Sequence, residues 1–141
     1  MITFARKNKL DETMMKKKLL LMVFLVCAIT AQADDVMTKS ADGTYIVNTT
    51  TLAKDVEGYA GPTPVEVHIK NNKIVKVVPL KTQDGPKYVA KVKKEMLPKY
   101  ESMNVKKGTV GDVDAVTGAT FTSKAIQENV RRAVEYYKKH K

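Results

Sequence analysis

Val65-Glu66-Val67-His68-Ile69-Lys70-Asn71-Asn72-Lys73-Ile74-Val75-Lys76-Val77-Val78 is the stretch on which the fold turns. Val65, Val67 and Ile69 alternate with Glu66, His68 and Lys70, and a period of two predicts a half-buried β-strand. Asn71 and Asn72 tolerate the left-handed backbone of a tight turn, and residues 73–78 return as the paired strand. A lone hairpin is marginal in water, so its apolar face needs further strands or a helix to cover it.

Upstream, Thr44-Tyr45-Ile46-Val47 follows Asp42-Gly43 and predicts a first strand. Between it and the hairpin, Gly58 to Pro64 holds two glycines and two prolines, a loop whose backbone is largely unshielded. Downstream, a helix is expected from about Pro86 to Leu97. Val89, Val92, Met96 and Tyr100 recur there at spacings of three and four, and Pro98 ends or bends it. Gly108 to Asp112 is turn-like, with room for a brief strand at Thr109-Val110. A last helix is expected from about Ser123 to Lys139, with Ile126, Val130, Ala133 and Tyr137 as its stripe and Lys138-Lys139 at the negative end of its dipole. The order predicts an α+β fold, a small twisted antiparallel sheet with helices packed on it.

The chain opens differently. Lys16-Lys17-Lys18, an apolar run from Leu19 to Ile29 and then Ala31-Gln32-Ala33 follow one another as in a secretory signal peptide. Eleven apolar residues fall short of the about 20 that a membrane-spanning helix needs. Met1 to Thr13 fit no zone of such a signal, and Met14 or Met15 is a better start. Residues 1–33 are therefore expected to be an N-terminal extension and signal peptide, 34–42 a flexible leader and 43–141 the domain, with the protein periplasmic or on the outer face of the cytoplasmic membrane. Cys27 lies inside the apolar run and is the one cysteine; Val26 and Phe24 ahead of it argue against lipidation. Cleavage after Ala33 removes it, and with it any disulfide or thiolate metal site.

Of 25 Lys and Arg, six precede Asp34; of 15 Asp and Glu, two do, which leaves 19 against 13 and a net charge of +6. The lysines are scattered and do not alternate with aromatics, so nucleic-acid binding is not indicated. A solvated surface, with attraction to anionic lipid headgroups or acidic redox partners, accounts better for the charge. His68, on the polar face of a strand, and His140, in the tail, stand at no metal-ligand spacing, and no metal is expected. Ser-His-Asp, P-loop and dinucleotide patterns are lacking, so no catalytic residue is assigned.

One motif carries chemistry. Asp114-Ala115-Val116-Thr117-Gly118-Ala119-Thr120 runs into Phe121-Thr122-Ser123-Lys124 and the last helix. It places the Thr120 hydroxyl just ahead of a helix N-terminus, whose unpaired N–H groups favour a phosphate. Two readings fit these residues alone: an ordinary capped turn, or a hydroxyl that itself carries a phosphate ester. The motif resembles the flavinylation motif of the FMN-binding domain family. Gly58-Tyr59-Ala60-Gly61-Pro62 and the hairpin resemble the family's opening loop and strands, so the likeness runs from about Gly43 to Lys139. Ala60 stands where related domains often carry another glycine.

The resemblance implies FMN bound covalently through a phosphoester to Thr120, installed by a separate flavin transferase with FAD as donor. It relates the chain to FMN-carrying subunits of sodium-pumping NADH:quinone oxidoreductase and Rnf-type complexes, and to small exported flavoproteins. Asp114 and Thr117 fall at recognition positions for the transferase, Asp114 being otherwise a loop residue in a local turn. Small Gly118 and Ala119 leave the acceptor accessible. Thr122, Ser123 and Lys124 begin the helix that would hold the phosphate, though Lys124 also fits a solvated charge. Gly58, Tyr59, Gly61 and Pro62 would receive the isoalloxazine, or merely connect two strands. The implied function is an extracytoplasmic electron carrier, more an electron-transfer flavoprotein than a stand-alone enzyme, with redox partner proteins at the membrane or in the periplasm. The alternatives are a reductase of a small molecule with non-covalent FMN and a non-redox binding module of the cell envelope.

Overall fold

Four strands, β1 (Met37–Lys39), β2 (Tyr45–Asn48), β3 (Val65–Lys70) and β4 (Lys73–Pro79), form one antiparallel sheet in sequence order. Two α-helices complete the α+β fold, α1 (Pro86–Glu95) and α2 (Thr120–His140), with a short 3-10 helix at Leu97–Tyr100 after α1. This computed structural model describes residues 36–141. The segment read as a signal peptide, Cys27 and the alternative starts lie outside the described residues.

The hairpin forms where the alternation puts it. Val65, Val67 and Ile69 are fully buried, and Asn71 and Asn72 take φ of 52° and 58°, the left-handed pair that a two-residue turn requires. β4 departs from strict alternation. Val67 faces Val77 and His68 faces Lys76, but Ile69 faces Ile74, so Val75 is an extra residue that bulges from the ladder and stands 47% exposed.

Residues 37–39, read from sequence as leader, pair with β2 from Met37 opposite Val47 to Lys39 opposite Tyr45. Met37-Thr38-Lys39 is too short to carry a strand signal of its own; the open edge of β2 supplies the partner. The brief strand expected at Thr109-Val110 is absent, and Asn104 instead makes an isolated bridge to Lys73. Pro86 occupies the first turn of α1, where its missing N–H costs nothing, and Pro98 makes the chain tighten into the 3-10 turn that buries Leu97 and Tyr100.

The core lies between one sheet face and the helices. Val47, Val67, Ile69 and Ile74 meet Ile126, Val130, Ala133 and Val134 of α2, with Val92, Met96 and Tyr100 closing the side. Each large aliphatic side chain buried there contributes about 1.5–3 kcal/mol. A polar bolt runs through this core. The buried Thr49 hydroxyl donates to Asn129 Oδ1 at 2.5 Å and accepts the Val65 N–H at 2.9 Å, while Asn129 Nδ2 donates to Ala125 O at 2.8 Å. It ties the end of β2 to both β3 and α2.

Thr49→Val keeps the side-chain shape and strands the Asn129 oxygen and the Val65 N–H. We expect a loss of about 1–3 kcal/mol for each stranded group, read from urea denaturation, with Thr49→Ser recovering most of it. Equal stability of the Val variant and the wild type would contradict the bolt.

Candidate functional site

The segment before α2 is strapped to that helix. Val113 and Val116 are buried, the Val116 N–H donates to Ser123 Oγ at 3.0 Å, and Gln127 Nε2 donates to the Val113 carbonyl at 2.5 Å. The chain then reverses at Thr117-Gly118. Gly118 has φ of +84°, a region that a side chain makes costly. Lys91 Nζ from α1 donates to the Thr117 carbonyl at 2.6 Å and steadies the turn.

Helix α2 begins at Thr120, three residues before the expected Ser123, so Thr120 belongs to the first turn instead of preceding it. The reversal at Gly118 and the small, buried Ala119 let the helix start at once. No side chain caps this end and no acidic residue lies in its first turn. The first helical bond is Ser123 N–H to Ala119 O, which leaves the N–H groups of Thr120, Phe121 and Thr122 without intrahelical partners.

Above this turn lies an open cleft of about 300 Å³, lined by Tyr59, Tyr88 and residues 118–122. That size is at the lower end of small-molecule sites. Tyr59 is 72% exposed, Phe121 64% and Tyr88 40%, and these are three of the four large apolar side chains exposed among the described residues. The Tyr59 ring centroid lies 6.2 Å from that of Tyr88 and 6.2 Å from that of Phe121. Exposed aromatics gathered on one spot mark a surface that something else covers. Thr120 is exposed among them, and its hydroxyl hydrogen-bonds to no other described residue.

Behind the cleft sits Asp84, only 3% exposed. Its Oδ1 accepts the Ala60 N–H at 2.7 Å; its Oδ2 accepts the Tyr59 N–H at 3.1 Å and the Thr122 hydroxyl at 2.5 Å. Burial pushes its pKa up, but the Thr122 hydroxyl and the N–H groups of Ala60, Tyr59 and Gly61 outweigh that and hold it below the ordinary carboxyl value. Gly58 presses on this carboxylate: a Cβ there would come within 2.2 Å of Asp84 Oδ2 and 2.7 Å of Thr63 Cγ2.

Of the residues singled out in the sequence, Tyr59, Gly118, Ala119, Thr120 and Thr122 line the cleft. Gly58, Gly61 and Pro62 shape the loop that carries Tyr59: Gly58 N–H donates to Gly61 O at 2.8 Å, and Thr82 Oγ1 donates to Pro62 O at 2.8 Å. The Thr122 and Ser123 hydroxyls point inward to Asp84 and to the Val116 N–H, so their described partners are structural. Asp114 and Thr117 are exposed on the segment leading to the cleft and do not line it. Lys124 stands on another side of α2, beside Asp112 and Gln127.

His68 is far less solvated than its place on a polar strand face suggests. Its side chain is 15% exposed, with Nε2 3.4 Å from Glu66 Oε2. His140 ends α2, stacked on Tyr136 at 3.8 Å. Neither histidine lines the cleft.

Sequence reading passed over Asp84, Tyr88 and Lys91. Asp84-Gly85-Pro86 reads as a helix entry and nothing local marks its aspartate as buried. Tyr88 and Lys91, at i and i+3 on α1, share the face that meets α2, and that pairing exists only in three dimensions.

A family model described as an FMN-binding domain matches residues 58–135. The match begins at Gly58 on the cleft loop and takes in Asp84, the Asp114–Thr120 motif and most of α2. No curated protein and no solved structure matches the chain.

Because the Asp84 carboxyl is held below its unfolded value of about 3.9, the stability it confers is present above that value and fades as pH falls through the lower folded one. The melting-temperature gap between wild type and Asp84→Asn should be full near neutral pH and narrow on acidification; a gap independent of pH contradicts the assignment. Gly58→Ala should destabilise by about 1–3 kcal/mol through overpacking against Asp84, measured by denaturant unfolding.

Proposed function

The chain belongs to the FMN-binding domain family, and we propose that it holds FMN by a phosphoester to the Thr120 oxygen and relays electrons outside the cytoplasm. The observation that carries this reading is the setting of Thr120, whose exposed hydroxyl stands among three exposed aromatic rings on an uncapped helix N-terminus. These residues fit the cofactor. A flat ring suits walls formed by Tyr59, Phe121 and Tyr88. A phosphate on Thr120 would lie against the free N–H groups and positive end of α2. Lys91, fixed at the Thr117 carbonyl, adds a cation beside the same turn.

Thr120 supplies the acceptor oxygen for a flavin transferase. With FAD as donor, the Thr120 oxygen would take the FMN phosphoryl group as the pyrophosphate linkage breaks, with AMP as the leaving group and the hydroxyl proton passing to the transferase. Thr117 and Thr122 suit this role less: the carbonyl of Thr117 is pinned by Lys91, and the Thr122 hydroxyl is buried on Asp84. The exposure of Asp114 on the approach to the turn supports its being read by a partner enzyme.

FMN contributes the ability to accept an electron pair and release electrons singly. The residues of the cleft govern access. An open cleft leaves a held ring within reach of a large partner, and no His, Asp or Glu lines it among the described residues. That openness supports a relay to redox proteins of the membrane or periplasm. Reduction of a small substrate would have to draw its proton from the Tyr59 or Tyr88 hydroxyl, the titratable groups that line the cleft. Export is supported by the basic, apolar and small-residue order of residues 16–33.

Produced with a flavin transferase and exported, the protein should gain the mass of one FMN less one water. Thr120→Val should abolish the adduct and keep the circular-dichroism spectrum of the fold. An adduct that persists, or that maps to Thr117 or Thr122, refutes the assignment. The extracted protein should begin at Asp34; a cytoplasmic protein beginning at Met1 would refute export.

A further inference from the structure

We propose that Asp84 is a positioning residue of this site, a latch that fastens the Tyr59 loop to the first turn of α2 and so sets the gap in which the flavin ring is seated. Asp84 does not line the cleft. It acts on the cleft through its neighbours, taking two N–H groups from the Tyr59 loop and one hydroxyl from α2. Thr122 lies two residues beyond Thr120 in the same helical turn. The inward hydroxyl of one and the outward hydroxyl of the other are therefore held in one rigid frame.

The loop needs such a latch. The Tyr59 ring, 72% exposed, is not anchored by burial, and its distance to Phe121 depends on the loop backbone. That backbone is held within the loop by the Gly58 N–H to Gly61 O bond, and to the rest of the protein by Asp84 and by Thr82, which donates to Pro62 O. Thr82 also accepts the Asp84 N–H at 3.2 Å, so both ties converge on one segment. Gly58 lets that segment approach, since any side chain there meets the carboxylate.

The latch has an electrostatic consequence, which rests on the flavin reading above. Asp84 is ionised at neutral pH because its hydrogen bonds outweigh its desolvation. A fixed buried anion behind the cleft repels the charge that a flavin acquires on reduction, and so lowers its reduction potential.

The test uses the full chain in two states. In protein made without transferase, hydrogen exchange at the Tyr59 and Ala60 amides should quicken at least tenfold in Thr122→Val and Asp84→Asn. It should stay near wild type in Thr122→Ser, with the β3 amides unchanged in all three. In flavin-loaded protein, Asp84→Asn should raise the midpoint potential by more than Thr122→Val, which keeps the charge. Wild-type exchange at both loop amides in Thr122→Val, or no rescue by Thr122→Ser, overturns the latch, and that arm stands even if Asp84→Asn fails to fold. An unchanged or lower potential in Asp84→Asn overturns the charge effect. Failure of the wild type to take up flavin would count against the function proposed above, while the exchange arm still decides the latch.

Discussion

Packing of α2 across the sheet is the constraint from which the rest of the structure follows. Ile126, Val130, Ala133 and Val134 fill the face made by Val47, Val67 and Ile69. A helix of this length seated on the sheet has its first turn placed as well, and there Thr122 and Ser123 are buried on its inner side. The helix end with the positive dipole is thereby presented to solvent, with its donors free. The inward face, from Thr122 and Ser123 to Tyr137, supplies the rigidity, and the outward Thr120 and Phe121 of the first turn are left exposed.

The cleft is then assembled from three segments distant in sequence. The loop at residues 58–62 brings Tyr59, α1 brings Tyr88 and steadies the reversal at Thr117 through Lys91, and that reversal with the first turn of α2 brings Gly118 and Thr120. Buried polar contacts bind them together, with Asp84 between loop and helix, Ser123 between helix and strap, and Thr49 between sheet and helix. Hydrogen bonds of this kind are directional, so they specify where a loop must lie in a way that apolar contact does not. The aromatic rings are left out of this bonding and stand free, which suits walls that close on a ligand.

A small domain has a limited interior, and this one spends it on its own core. A flavin held here would lie mostly at the surface, where non-covalent affinity is modest because so little of the ring is enclosed. An ester to the protein removes the need for enclosure. An exposed ring is also one that a protein partner can reach, so on the proposed reading accessibility and covalent retention would both follow from one size limit.

The sequence alone determined the hairpin, the two helices and the α+β class, because alternation, the Asn71-Asn72 turn, Pro86 and Pro98 act through local sterics and side-chain period. It also marked Gly118-Ala119-Thr120 and the Tyr59 loop, which the fold brings together in the cleft. The start of α2 was misplaced by three residues, since the left-handed turn at Gly118 and the burial of Ala119 depend on contacts from outside the segment. β1 was read as leader because its residues join the sheet only through the free edge of β2. Asp84, Tyr88 and Lys91 were invisible for the same reason at the site itself. A carboxylate becomes a latch only when folding removes it from water and brings it two N–H groups and a hydroxyl from far along the chain. Residue type and spacing announce local geometry, whereas burial and long-range pairing arise only once the core has closed.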